Sequence, residues 1–158
     1  MDNISNEYIR GLIEGEGSFT FHTGSKNKNG RKHKIPAFVI SLHIRDKNLL
    51  EAIKNKLELK NRLNYRTPRI AIQNIKNGNK YLSERQVILS VRDFKQLKDI
   101  IIPFFYKKLK GHKGIQFIEW LEKIGSDPDI SDRFKSLYRL YKWGMYDKLS
   151  KFTEKFKD

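Results

Sequence analysis

Apolar residues recur along the chain at two spacings, and the switches between them mark out its elements. Tyr8, Ile9, Leu12 and Ile13 share one face at helical spacing. Ser5 or Asn3 can cap this first helix, and Glu7 suits the positive end of its dipole. The helix is expected to stop where it meets Gly15 and Gly17. Over 18–24, Phe19 and Phe21 alternate with Thr20 and His22, the period of a strand with one buried face. The polar run GSKNKNGRKHK follows as a loop. Alternation resumes over 37–44, with Phe38, Ile40, Leu42 and Ile44 facing one way and Val39, Ser41 and His43 the other. These two strands predict a hairpin with a long basic tip.

Asp46 can cap a second helix carrying Leu49, Leu50, Ile53 and Leu57. Strands are expected over 63–73 and 81–91, joined by the turn NGN. Asp93 and Gln96 have the spacing of a capping box. They open a third helix with Phe94, Leu97, Ile100 and Ile101, expected to end near Pro103. A fourth helix is expected over 113–124, stopped by Gly125. The tail over 131–156 predicts one or two amphipathic helices with Phe134, Leu137, Tyr141, Leu149 and Phe152, and Tyr138, Tyr141 and Trp143 read as core.

The order helix, hairpin, helix, hairpin, helices predicts an α+β domain spanning 1–158. Its four-stranded antiparallel sheet would carry helices on one face only. The other sheet face then carries Thr20, His22, Ser41, His43, Arg66, Arg69 and Gln86 and has no partner within the chain.

Charge changes how that open face is read. Lysine and arginine number 33 against 18 acids, a formal net charge of +15 over 158 residues. Such a surplus repels itself in a compact fold and suits a polyanion, nucleic acid before anionic membrane. A polar and basic sheet face therefore reads as a surface lying on DNA or RNA. The chain has no cysteine, which removes disulfides, thiol nucleophiles and thiolate zinc sites. The longest apolar stretch, 100–105, is short and contains Pro103, so no membrane span is expected. The acidic start MDNISNEYIRG lacks an export or transit pattern. The four histidines are dispersed, without zinc spacing; His22 and His43 fall on the open face.

The segment I-R-G-L-I-E-G-E-G from Ile9 to Gly17 holds three glycines and two glutamates. Gly11 and Gly15 lie four apart, on one helix face. Each costs about 1 kcal/mol against alanine inside a helix. Close approach of another backbone would offset that; an ordinary helix end with loop glycines is the plainer alternative. Glu14 and Glu16 stand where helix gives way to strand, beside glycines that cannot shield them. A carboxylate there can hold a hard divalent cation through oxygen. Glu16, at the very end, is the better placed; Glu14 could equally be solvated.

This run resembles the LAGLIDADG motif, and the elements that follow it keep the order of that family over about 125 residues. The resemblance implies a saddle-shaped αββαββα fold and site-specific cutting of double-stranded DNA, as in homing endonucleases. Related intron maturases, which assist RNA splicing, are the alternative within the family; a non-catalytic DNA-binding regulator is the alternative outside it. One motif implies a homodimer in which two such helices pack together through Gly11, Leu12 and Gly15. Arg10, where a small residue is usual, sits awkwardly for that packing. By position the resemblance places the metal at Glu16 with the Gly15 carbonyl beside it, the metal being Mg2+, or Mn2+ or Ca2+ in its place. It places a water-ordering side chain at Asp46, which is also a good N-cap. It places a lysine near the scissile phosphate at Lys113, with Lys107, Lys108 and Lys110 as rivals. Base contacts would come from Thr20, His22, Ser41, His43, Arg66, Arg69, Gln73 and Gln86, and flanking phosphates would meet Lys26, Lys28, Arg31 and Lys34. The target would be long and pseudo-palindromic, with no small-molecule substrate and no membrane partner. Such chains are intron-encoded, so an intracellular and organellar setting, mitochondrial or chloroplast, is expected.

Overall fold

Ser5 starts the first helix by accepting the N–H of Tyr8 at 3.0 Å, satisfying one of the four donors that a helix start leaves open. This is α1 (Asn6–Glu16), seen in a computed structural model that describes residues 3–26, 28–66, 85–148 and 154–156. The helix runs through Gly15 rather than stopping there, and ends at Gly17, whose backbone is extended. Gly17 is required by packing: a Cβ there would lie 2.5 Å from Ile13 Cγ2. Ile9 and Ile13 are buried as their spacing predicts, but Tyr8 is half exposed.

Two long strands follow, β1 (Gly17–Lys26) and β2 (Lys32–His43). They pair antiparallel from Gly17↔Ile40 to Thr23↔Lys34, and again at Lys26↔Lys32 beyond an irregularity. Most of the expected basic loop is therefore strand. Backbone pairing and a tether to the helices hold it: Lys34 N–H donates to Asp129 O at 3.1 Å, and Lys34 Nζ meets Asp127 Oδ2 at 2.8 Å. The Asp127 hydrogen bond and charge raise the Lys34 pKa, and the Lys34 hydrogen bond lowers that of Asp127.

A 3-10 turn, Ile44–Asp46, leads into α2 (Lys47–Lys56), which buries Leu50 and Ile53. Ile44 thus leaves the strand pattern one residue early. The short β3 (Asn64–Arg66) and β4 (Gln86–Val91) complete the sheet. The rest of the expected second hairpin, including Arg69 and Gln73, lies outside the described residues. Strand order is β1-β2-β4-β3, with every neighbouring pair antiparallel.

Asp93 caps the next helical segment by accepting Gln96 N–H at 3.1 Å. Gln96 differs from the capping-box expectation: its side chain bonds Asn61 Oδ1 and accepts Lys60 N–H, pinning the preceding loop. The segment comprises α3 (Phe94–Gln96), a π-helical turn (Leu97–Ile101) and α4 (Ile102–Phe105). Pro103 does not end it. Proline lacks an N–H and its ring collides with the carbonyl four residues back in a regular helix; here the wider π turn immediately precedes it and absorbs that misfit.

Two longer helices follow, α5 (His112–Ser126) and α6 (Asp132–Lys142), and a 3-10 turn, Glu154–Phe156, ends the described residues. Gly125 lies inside α5 and is not its stop. A Cβ there would come within 2.4 Å of the Tyr138 ring, so the glycine exists to let α6 pack close. In the tail, Leu137 is buried, whereas Trp143 is 68% exposed and does not join the core. Leu149 and Phe152 lie outside the described residues.

The core sits between the helices and one sheet face. Phe19, Phe38, Phe105, Phe117 and Trp120 form its aromatic centre, with Phe38–Phe105 centroids 5.2 Å apart and Phe19–Phe117 4.9 Å apart. Burial pushes Tyr106 up to about 12, helped by its hydrogen bond to Asp147. No helix among the described residues is long and apolar enough to cross a membrane.

Candidate nucleic-acid interface and acidic helix end

Alternation along the paired strands sends two sets of side chains to opposite sides. Phe19, Phe38, Ile40, Leu42, Val87, Leu89 and Val91 go to the core. On the opposite side the register aligns Thr20 with Ala37, Ser41 with Ile88, and His43 with Gln86 and Arg66. The expected set Thr20, His22, Ser41, His43, Arg66 and Gln86 therefore does share the open face. Alternation also puts Val39, Ile88, Ser90 and Asn64 there. Pattern alone does not place the last three there, because β4 and β3 are short and their register is not fixed by alternation.

The polar groups on that face are already ordered. His22 Nε2 and Ser90 Oγ are 3.2 Å apart, spanning the fully buried Ala37. Ser41 Oγ donates to Gln86 Oε1 at 3.2 Å, and Arg66 donates to the same oxygen at 3.1 Å. His43 Nδ1 accepts Arg45 N–H at 3.0 Å, which fixes the ring proton on Nε2 in the neutral form.

The basic hairpin divides into two groups. The side chains of Lys26 and Lys28 make no hydrogen bond or ion pair among the described residues. Arg31 and Lys34 are turned back to Asp129 and Asp127, at 3.7 and 2.8 Å. Lys34 shares the strand face of Pro36 and Phe38, the side on which the helices lie, so it points away from the open face.

At the end of α1 the two glutamates have different surroundings. Glu14 reaches across to the loop before α5, accepting Lys110 N–H at 2.6 Å and Gly111 N–H at 2.8 Å. Gly111 is the N-cap of α5 and has no side chain to cap with, so Glu14 satisfies that helix start from another element. The fit is close, since a Cβ on Gly111 would lie 2.5 Å from Glu14 Oε2. Glu16, by contrast, is exposed and has no protein partner among the described residues. Gly15 is in the last turn of the helix, where carbonyls lack intrahelical donors and carry the negative end of the dipole. An exposed carboxylate beside such carbonyls is an oxygen donor set suited to a hard divalent cation. Among the described residues no three His, Asp or Glu side chains converge.

Lys113 lies in the first turn of α5, on the segment that Glu14 fastens to α1. It borders a groove of about 480 Å³ between Ser18–Phe21 of β1 and Gln116 and Trp120 of α5. Among its rivals, Lys107 is paired with Asp147, while Lys108 and Lys110 are exposed. Asp46 takes the N-cap position of α2, yet its carboxylate makes no cap hydrogen bond and is left available. No hydrogen bond joins it to Glu16 or Lys113 among the described residues.

Tyr8, Gly11, Leu12 and Gly15 follow one helical stripe of α1; Leu12 is partly buried against the core, while a Cβ on either glycine would meet nothing within 4 Å among the described residues. Arg10 does not lie on this stripe. It turns inward, 3% exposed, with Nε donating to Phe104 O at 3.0 Å and its charge 4.4 Å from the Phe104 ring centroid. A further bond to Phe156 O, at 3.3 Å, ties the end of the described chain to the back of α1. A further cavity, of about 880 Å³, lies beside Glu58, Asp93 and Lys155. Glu58 and Lys155 on its wall pair at 2.7 Å.

The family model described as LAGLIDADG endonuclease matches residues 9–124. Among solved structures, the LAGLIDADG homing endonuclease I-GzeII in complex with its DNA target is 26% identical, with a TM-score of 0.59 over 94% of this chain. I-LtrWI, bound to target DNA, is 25% identical with a TM-score of 0.60 over 92% of this chain. I-SmaMI bound to uncleaved DNA in the presence of calcium ions, at 20% identity and a TM-score of 0.57 over 91% of this chain, shows the same fold. The chain spans just under half of each of these proteins, 45% of I-GzeII and I-LtrWI and 46% of I-SmaMI. No protein of curated function matches it.

Proposed function

The chain belongs to the LAGLIDADG endonuclease family, and from that premise we propose that it cuts double-stranded DNA at a specific site, as a homodimer, by metal-assisted hydrolysis. One observation carries this: Glu16, a carboxylate without a partner among the described residues, ends a helix on whose adjoining stripe Gly11 and Gly15 face open space. Glycines cost helix stability, and a second backbone seated against them restores it. Twofold pairing through Tyr8, Gly11, Leu12 and Gly15 would bring two Glu16 carboxylates and two Gly15 carbonyls together.

Glu16 and the Gly15 carbonyl would hold the cation, Mg2+ by its hard-oxygen preference. A divalent cation there would polarise the scissile phosphate and lower the pKa of attacking water. Lys113 brings positive charge toward phosphate oxygens at the moment negative charge builds on them. Glu14 keeps Lys113 in range by fastening the start of α5 to the end of α1. Asp46, with its carboxylate unspent on capping, orders water. The open sheet face lies along the bases, and Lys26 and Lys28 meet flanking phosphates.

The test is incubation of the full chain with Mg2+ and a randomised duplex library, followed by sequencing of cut ends. Long, near-palindromic cut sites are expected. Glu16→Gln should lower cutting by two orders of magnitude or more and leave DNA binding intact. No cut product, together with stimulated splicing of an intron RNA, would make the chain a maturase instead.

A further inference from the structure

The middle of the open sheet face carries a row whose hydrogen-bonding sense is fixed by its own internal bonds. His43, Gln86 and Arg66 stand directly opposite one another across β2, β4 and β3. Arginine has five N–H donors and no acceptor. The atom of Gln86 that meets Arg66 at 3.1 Å must therefore be the amide oxygen, and chemistry alone excludes the flipped amide. Ser41 Oγ lies 3.2 Å from that same oxygen and donates to it. Both lone-pair directions of Gln86 Oε1 are thus used within the protein. What Gln86 can still offer is its NH2 group. What Arg66 can offer is the remainder of its fork.

A free glutamine commonly reads adenine with both ends, accepting from N6 and donating to N7. Gln86 has lost the accepting half of that pair. With Arg66 beside it, the row presents donors only. Of the four bases, guanine alone shows two acceptors, O6 and N7, on its major-groove edge; adenine and cytosine each show an amino group that a donor would oppose.

We propose that Gln86 and Arg66 form one recognition unit, locked by Ser41, that selects a guanine in the major groove under the β4–β3 end of the sheet. This rests on the DNA-facing role given above to the open face. One guanine per chain is read, and hence two per site in a twofold dimer.

Selection of bound sequences from a randomised duplex library by the full-length chain tests it. The wild type should enrich guanine at one position per half-site. Gln86→Glu is nearly isosteric and keeps an oxygen for Ser41 and Arg66, but turns its second oxygen outward. Preference at that one position should move from guanine to cytosine or adenine, by about ten-fold, within the range of one bidentate base contact. Arg66→Lys, which replaces the fork by a point charge, should weaken guanine preference at the same position. If every enriched position is indifferent to both substitutions, or the position that responds is not guanine in the wild type, the unit does not exist. If the wild type enriches no sequence, the DNA-reading role of the sheet falls too, and the proposal with it.

Discussion

Three glycines within seven residues do three different things. Gly17 is held against Ile13, with no room for a Cβ, and fixes the turn from α1 into β1. A Cβ at Gly11 or Gly15 would meet nothing within 4 Å among the described residues. Gly17→Ala should lower stability by about 1–3 kcal/mol, since a buried isoleucine and its carbonyl must give way; urea unfolding measures this, and an unchanged midpoint would refute the steric account. The sequence shows the three glycines as a group and cannot separate these roles, because whether a Cβ fits depends on atoms distant in the chain. The two glutamates pose the same problem. Their spacing marks both as helix-end acids. Glu16 is exposed, but that Glu14 is bound to Lys110 and Gly111, nearly a hundred positions later, is invisible to any local pattern. Arg10 is another such residue: its partner carbonyls at Phe104 and Phe156 resolve the conflict that its charge creates within the motif.

At the scale of elements, periodicity located every described helix and strand, and errors gather where tertiary contacts override local signals. Pro103 and Gly125 are ordinary stop signals. One is absorbed by a π turn and the other serves the packing of Tyr138. The basic run 24–34 looks like a loop by composition, yet Asp127 and Asp129 hold its second half as strand. Element boundaries matter for the proposed chemistry at one place above all, the join between α1 and α5. Two charge-assisted bonds from Glu14 set the start of α5, and Lys113 is two residues beyond its Gly111 cap. Glu14→Ala should lower the cleavage rate about 100-fold, the effect of an ångström-scale misplacement, while DNA affinity changes little. Single-turnover cutting set against equilibrium binding separates the two; loss of both in proportion would show that Glu14 merely supports the fold.

At the scale of the molecule, the excess of basic residues, the open face and the glycine-bearing helix stripe lie on a chain that spans just under half of its solved relatives. The layout of sheet and helices was legible in the sequence because alternation and amphipathicity report burial directly. The pairing order β1-β2-β4-β3 and the bonds across the open face were not, since both depend on which strand meets which. The proposed pairing gives a prediction that separates fold from assembly. Gly15→Leu has open space for its side chain and should raise the helix propensity of α1 by about 1 kcal/mol. The variant should stay folded in circular dichroism, sediment as a monomer and fail to cut. A variant that still sediments as a dimer and still cuts would remove α1 as the interface.

The glycine stripe also bears on how such a protein can change over generations. In the proposed twofold pairing every contact of the stripe occurs twice, so one substitution acts on both sides of the axis at once. A residue on the axis itself would meet its own image: a charge there would face the same charge, and a bulky side chain its equal. At such a position no complementary change on the partner is open to a single gene product. A lineage that pairs in this way would keep small residues at the axis and a symmetric target. It gains freedom to recognise an asymmetric sequence only when the two faces are encoded separately.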